Sequence, residues 1–128
     1  NANGLHSTDH YTTAYDLYLI FNEALKLPLF CEIINAQSYT ADYTDANGAA
    51  KQQVWKVGNW YLKGDREVPE GVTVLGGKTG TTQAAGYCLI MASDGDDGKE
   101  YISIVLKSAN RPSLYDNMTE ILTKISNK

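Results

Sequence analysis

Val72-Thr73-Val74-Leu75-Gly76-Gly77-Lys78-Thr79-Gly80-Thr81-Thr82 is the stretch around which the chain is organised. Its first four residues are apolar or β-branched. A second short apolar run, Tyr87-Cys88-Leu89-Ile90-Met91-Ala92, follows the small residues Ala84-Ala85-Gly86. Short runs of this composition, bounded by glycine or polar clusters, read as strands. The pattern therefore sets a cation and several hydroxyls on a strand flanked by glycines, where a ligand can approach the backbone closely. Lysine brings a point charge with three donors, suited to a carboxylate or a phosphate. The phosphate-binding loop Gly-x4-Gly-Lys-Ser/Thr fits only at its end. Val72 stands where its first glycine belongs, and a strand, not a helix, follows Lys78.

Downstream, Asp94-Gly95-Asp96-Asp97-Gly98 fails the calcium-loop pattern, because Gly98 falls at the fifth position and Val105 at the twelfth. It reads as a tight acidic hairpin leading into a third strand, Tyr101 to Leu106. A loop is expected from Lys107 to Ser113, then a helix capped by Ser113 with Asp116 at its third position. Leu114, Met118, Ile121, Leu122 and Ile125 form that helix's apolar face.

Upstream, Asn59 to Gly71 reads as a loop, with Trp60 inside it facing a cleft or, the favoured alternative, plugging the core. Asn47-Gly48 signals a hairpin between Gln37–Tyr43 and Gln53–Val57. Pro28 opens a short helix through Ile34. Before it, Thr13-x-x-Asp16 is a capping-box variant introducing Leu17, Ile20, Phe21, Ala24 and Leu25 as one buried face. The order of helices, strands and a last helix predicts an α+β fold, an antiparallel sheet with packed helices.

The 128 residues carry a net charge of −4. That balance argues against nucleic acid as a partner, since phosphate binding needs a basic face. No apolar run approaches the ~20 residues of a membrane span. Two cysteines, Cys31 and Cys88, are too few for a disulfide scaffold and read as buried thiols, with a mutual disulfide left open. His6 and His10 lie in a loop with no acidic third ligand at suitable spacing, so no metal site is expected.

Lys78-Thr79-Gly80-Thr81-Thr82 followed by Ala85-Gly86-Tyr87-Cys88-Leu89 resembles the D-alanyl-D-alanine carboxypeptidases, the low-molecular-mass penicillin-binding proteins. Gly4-Leu5-His6, His10-Tyr11-Thr12-Thr13-Ala14-Tyr15-Asp16-Leu17 and Asn59-Trp60-Tyr61-Leu62 look like the same family, so the resemblance covers nearly the whole chain. It implies a penicillin-binding, β-lactamase-like transpeptidase fold and serine acyl transfer on peptidoglycan stem peptides ending in D-Ala-D-Ala, without a cofactor. That chemistry uses Ser-x-x-Lys with the nucleophile, Ser-x-Asn, and Lys-Thr-Gly. No serine here has lysine three residues later. Ser108-Ala109-Asn110 matches Ser-x-Asn literally but follows Lys-Thr-Gly, and is read as chance. Residues 1–128 are thus expected to be the C-terminal portion of the catalytic domain, with the nucleophile half absent and the chain inactive alone.

The resemblance implies residue roles. Lys78 would offer charge to the substrate's terminal carboxylate and the catalytic hydroxyl network. Thr79 would hydrogen-bond that carboxylate, and Gly80 would keep the edge open for a peptide to lie along it. Thr81 would give its backbone N–H to the oxyanion hole. Arg111 is a weaker carboxylate candidate, with a solvated surface arginine as the favoured alternative. The expected partners are the stem peptide, β-lactams in the parent protein, and the N-terminal half. Self-association would cover the surface which that half leaves bare. The expected location is the cell envelope outside the cytoplasm, with any signal or anchor lying beyond this stretch. A non-catalytic peptidoglycan-binding module and a β-lactamase-like hydrolase are the alternatives.

Overall fold

The computed structural model describes residues 1 and 3–126. Its elements run α1 (Ala14–Ala24), α2 (Pro28–Asn35), β1 (Ser38–Thr44), β2 (Ala50–Lys56), α3 (Trp60–Lys63), β3 (Val72–Thr82), β4 (Gly86–Gly95), β5 (Glu100–Ser108) and α4 (Arg111–Ser126). β3, β4 and β5 form one antiparallel sheet in sequence order, so β3 is an edge strand. β1 and β2 form a separate hairpin. The α+β architecture expected from the sequence is the one observed.

Alternation along β4 explains the layering. Leu89 and Met91 point into a core with Val105, Leu114, Tyr115, Met118, Leu122 and Ile125, so α4 covers that face of the sheet. Ile90 and Ala92 point the other way, against Phe21, Phe30, Ile34 and Ile102, so α1 and α2 cover the opposite face. Successive side chains of a strand face opposite sides. A sheet buried on both sides therefore needs the continuous apolar run that Tyr87–Ala92 presents.

The helix ends depart from expectation in one place. Thr13 caps α1 through the anticipated capping box: the Asp16 N–H donates to Thr13 Oγ1 at 3.1 Å and the Thr13 N–H donates to Asp16 Oδ2 at 3.1 Å. Pro28 opens α2 as expected. At α4 the Ser113 cap is wrong. The helix begins at Arg111, and Asn110 supplies the cap, its Oδ1 accepting the Ser113 N–H at 2.8 Å. Ser113 and Asn110 are both good capping residues. β5 runs on to Ser108, which leaves only Ala109 and Asn110 as connection and forces the earlier start. Asp116 is freed from capping and pairs with Arg66 at 2.9 Å.

The buried face of α1 is narrower than the periodicity predicted. Phe21 is buried, Leu17, Ala24 and Leu25 are half-buried, and Ile20 is 65% exposed. α1 meets the sheet along one narrow stripe, and Ile20 lies a hundred-degree turn from Phe21, outside it. The two thiols are half-buried rather than buried, and both are free. Cys31 Sγ donates to the Leu25 carbonyl at 3.1 Å. The returning strand of the hairpin begins at Ala50, three residues before the predicted Gln53, because Asp45 Oδ1 accepts the N–H groups of Asn47 and Ala49 at 2.9 and 3.0 Å and closes the turn early. Among the described residues no helix is long and apolar enough to cross a membrane.

The acidic stretch after β4 is the tight turn expected. Gly95 and Gly98 close it by backbone bonds, Gly95 N–H to the Lys99 carbonyl and Gly98 N–H to the Gly95 carbonyl, both at 3.0 Å. Asp97 accepts from the Tyr101 hydroxyl at 2.7 Å and from Lys99 Nζ at 3.0 Å. Those bonds favour the carboxylate, the Tyr101 bond most, and lower its pKa from 3.8 to about 2. The sign follows. The carboxylate's contribution is fully present above 3.8 and is lost as pH falls through about 2. Carboxyl chemical shifts followed by NMR during acid titration should show Asp97 titrating near the bottom of the carboxylate series. Tyr101→Phe should bring it back toward the ordinary range. A midpoint unchanged by that substitution would contradict this account.

Candidate functional site

The Lys-Thr-Gly element lies in the second half of β3, opposite the apolar run of β4: Lys78 faces Ile90, Thr79 faces Leu89, Gly80 faces Cys88 and Thr81 faces Tyr87. The strand reaches this position through a bulge between Val74 and Gly76. A bulge leaves a residue outside the ladder. Leu75 is that residue, and its carbonyl accepts from Asn35 Nδ2 at 2.7 Å, at the end of α2. The helix end passes so close that a β-carbon on Gly76 would stand 2.8 Å from the Ile34 carbonyl oxygen. Gly76 also has φ +152°, in the region reserved for glycine. The end of α2 thus packs on β3 at the bulge.

Beyond the bulge the edge opens. Among the described residues no strand pairs with the outer side of β3. Lys78, Gly80 and Thr81 are exposed, and a β-carbon on Gly80 would meet nothing within 4 Å. Alternation puts Thr79 on the α4 side with Leu89, and Lys78 and Gly80 on the α1–α2 side with Ile90. The four residues thus share an edge and not a face. A ligand laid along that edge can meet both sets, as in strand addition. The Lys78 ammonium donates to the Thr79 carbonyl, so the cation is folded back along its own strand.

On the α4 side the segment before β3 approaches Thr79. A β-carbon on Gly58 would come within 3.5 Å of Thr79 Oγ1, so the missing side chain leaves that hydroxyl room. Asn59 follows, 2% exposed, its Oδ1 accepting the Tyr61 N–H at 3.0 Å as the cap of α3. A network ties this segment to α4. Tyr115 Oη accepts the Trp60 N–H at 2.9 Å, Tyr61 Oη lies 2.8 Å from Thr119 Oγ1, and Arg66 Nε donates to the same Thr119 oxygen at 3.2 Å. Burial raises the pKa of Tyr61 and of Tyr115, so both hydroxyls stay protonated. Trp60 stacks on Tyr115 with ring centroids 4.6 Å apart, which makes it the aromatic plug anticipated and takes it out of any cleft. Asn35, Gly58 and Asn59 shape the edge yet carry no motif. The sequence reads Asn59 to Gly71 as a loop, but Trp60–Lys63 form α3, because the Asn59 side chain caps the turn and Gly64 ends it in the left-handed conformation.

Arg111 starts α4, exposed, just beyond Ser108, which pairs with Tyr87 and through it with Thr81, so it lies at the same end of the sheet as the Lys-Thr-Gly element. β5 lies two strand spacings from β3, roughly 10 Å. No described hydrogen bond or ion pair joins Arg111 to Lys78–Thr81. Ser108-Ala109-Asn110 has structural work instead: Ser108 is buried and Asn110 caps α4. His6 and His10 are exposed ahead of α1, with His10 Nδ1 3.3 Å from the Leu5 carbonyl. The described residues contain no group of three or more metal-ligating side chains.

Comparison with known proteins adds four findings. The family model described as D-alanyl-D-alanine carboxypeptidase matches residues 1–110. A D-alanyl-D-alanine carboxypeptidase of Streptomyces sp. (strain K15) is 28% identical over 120 residues, covering 93% of this chain and 39% of the relative. A mutant of Streptomyces K15 DD-transpeptidase superimposes with TM-score 0.77 at 30% identity, over 91% of this chain and 43% of that one. A D-alanyl-D-alanine carboxypeptidase from Mycobacterium tuberculosis, at 24% identity and TM-score 0.70, shares the fold over 94% of this chain and 43% of its own. The chain spans about two fifths of the length of these relatives.

Proposed function

The chain belongs to the D-alanyl-D-alanine carboxypeptidase family, and from that premise we propose that it forms the C-terminal part of a serine-type D-Ala-D-Ala carboxypeptidase catalytic domain. In this reading it supplies the Lys-Thr-Gly wall of a site that removes the terminal D-alanine from peptidoglycan stem peptides through an acyl-enzyme. The observation that carries the proposal is the open outer edge of β3 beyond the Gly76 bulge, with Lys78 and Gly80 on it.

An extended peptide would lie along that edge and add to the sheet. The Lys78 ammonium would neutralise the peptide's terminal carboxylate, and the Thr79 hydroxyl would hydrogen-bond it. Gly80 would hold no side chain in the peptide's way. The Thr81 N–H would donate to the oxyanion that forms when the carbonyl is attacked. The attacking serine and the second oxyanion donor would come from the part of the fold that this chain does not span. The exposed faces of α1 and α2, with Leu19, Ile20, Leu29 and Ile33, are surfaces on which that part would sit. Left bare, they favour self-association. A family of this activity works on the cell wall, outside the cytoplasm.

Acyl transfer needs a nucleophile. The 128-residue chain is therefore expected to release no D-alanine from a D-Ala-D-Ala peptide and to gain no mass after incubation with penicillin. Intact-mass spectrometry reads the second directly. A stoichiometric penicilloyl adduct on this chain would overturn the assignment of the nucleophile to another part of the fold.

A further inference from the structure

Among the described residues Lys107 is the one non-glycine with a positive φ, +58°. The left-handed region strains any residue with a β-carbon, and glycine is its usual occupant. The strain sits at a bulge. From Asp94–Glu100 to Leu89–Val105 the β4–β5 pairs keep one register, but Tyr87 meets Ser108. In the unbroken register Tyr87 would meet Lys107, on the face that α4 covers with Leu89, Val105 and Leu114. An ammonium there would be cut off from water. The extra residue turns Lys107 out to solvent and brings the small Ser108 in, 7% exposed. The bend also sets backbone against backbone. A β-carbon on Gly86 would stand 2.8 Å from the Ser108 carbonyl oxygen and 3.2 Å from Lys107 Cα, and Gly86 itself has φ +67°. Gly86 closes the β3–β4 turn: it pairs with Thr82, whose Oγ1 accepts the Ala85 N–H at 3.0 Å. Thr81 stands one position before, opposite Tyr87. Beyond Ser108 the chain is anchored to α4 through Asn110 at its cap.

We infer that Lys107 is a positioning residue. Its left-handed backbone lays the end of β5 against Gly86 and so fixes the turn that carries Thr81, an inference that rests on the oxyanion reading of the Thr81 N–H. An oxyanion donor acts by being held in place before charge develops. Within the sheet β3 pairs only with β4, and it ends one residue after Thr81. Strand ends and turns open readily unless something ties them down. The Lys107 bend ties this turn to β5, and through Asn110 to α4. Strained backbone persists where its surroundings over-determine it, and it concentrates at functional sites. Bulges likewise occur beside active sites, where they re-aim the chain that follows. The role belongs to the backbone of Lys107. Its ammonium is exposed and makes no hydrogen bond or ion pair among the described residues.

The first arm of the test reads backbone amide NMR shifts of the 128-residue chain without a ligand, so it holds or fails apart from the acyl-transfer reading. Lys107→Val places a β-branched residue where the left-handed region resists it. It should shift the Thr81, Thr82, Gly86 and Tyr87 amides and speed their hydrogen exchange about tenfold. Gly86→Ala acts from the other side of the same contact and should shift Thr81, Thr82 and Tyr87. Lys107→Gly adopts the conformation without strain and should leave all four in place. It should also raise the folding equilibrium constant about threefold, the strain released less the entropy that glycine adds to the unfolded chain. The second arm is acylation by penicillin in an assembly with the Ser-x-x-Lys half of the fold. Lys107→Val should slow acylation about tenfold with the initial noncovalent affinity unchanged, as misalignment of an oxyanion donor would. Lys107→Gly should acylate at the unsubstituted rate. The proposal is overturned by unshifted Thr81 and Thr82 amides in both Lys107→Val and Gly86→Ala, or by a valine variant that loses affinity and not rate. A glycine variant that acylates as slowly as the valine variant would also overturn it, in favour of the ammonium.

Discussion

Lys78→Ala is expected to slow acylation by penicillin about 10²–10⁴-fold in an assembly that contains this chain and the Ser-x-x-Lys half of the fold. That range is about 3–5 kcal/mol of transition-state binding. Lys78 is exposed here, and its ammonium rests on the Thr79 carbonyl of its own strand. Water screens a charge in that setting. Covering the β3 edge with a second part of the fold would exclude water, and the same cation would then act in a medium of lower dielectric. The loss should appear mainly in the acylation rate constant, since charge develops as the carbonyl is attacked. Stopped-flow acylation with a chromogenic β-lactam measures it. An acylation rate unchanged by Lys78→Ala would reduce the motif to a structural role.

Tyr115→Ala should be the most damaging single truncation for stability. Tyr115 is fully buried, stacks on Trp60 and meets Tyr61 edge-on with centroids 5.3 Å apart. Truncating a buried aromatic to alanine costs about 3–5 kcal/mol through lost burial and the cavity left behind. The Trp60 N–H also loses the hydroxyl that accepts it at 2.9 Å. A domain of this size holds only about 5–15 kcal/mol in all. Urea unfolding should show a large drop in midpoint, with a red shift of Trp60 emission. Tyr115→Phe keeps the rings and removes only the hydroxyl, so its cost should be nearer 1 kcal/mol. Equal destabilisation by the two variants would mean that the hydrogen bond, not the packing, holds the segment Gly58–Arg66 to α4.

Local chemistry is what the sequence determined by itself. The Thr13–Asp16 box, Pro28, the Asn47-Gly48 turn and the acidic turn before Lys99 each act through bonds or dihedral limits among near neighbours, so they were legible. The apolar run of β4 announced a strand, and Lys78-Thr79-Gly80 carried its family resemblance in consecutive residues. Tertiary structure decided whatever rests on contacts distant in sequence. Ile20 lies at helical spacing with Leu17 and Ala24, yet the narrow docking of α1 leaves it exposed. Ser113 and Asn110 are equivalent as caps in sequence, and the length of β5 chose Asn110. The bulge that precedes Lys78 is tied to the end of α2, since Asn35 takes the Leu75 carbonyl forty residues away and Gly76 admits the backbone of Ile34. Short-range preferences are properties of a few residues, whereas burial and edge exposure depend on which distant surfaces meet, and no local pattern encodes that choice.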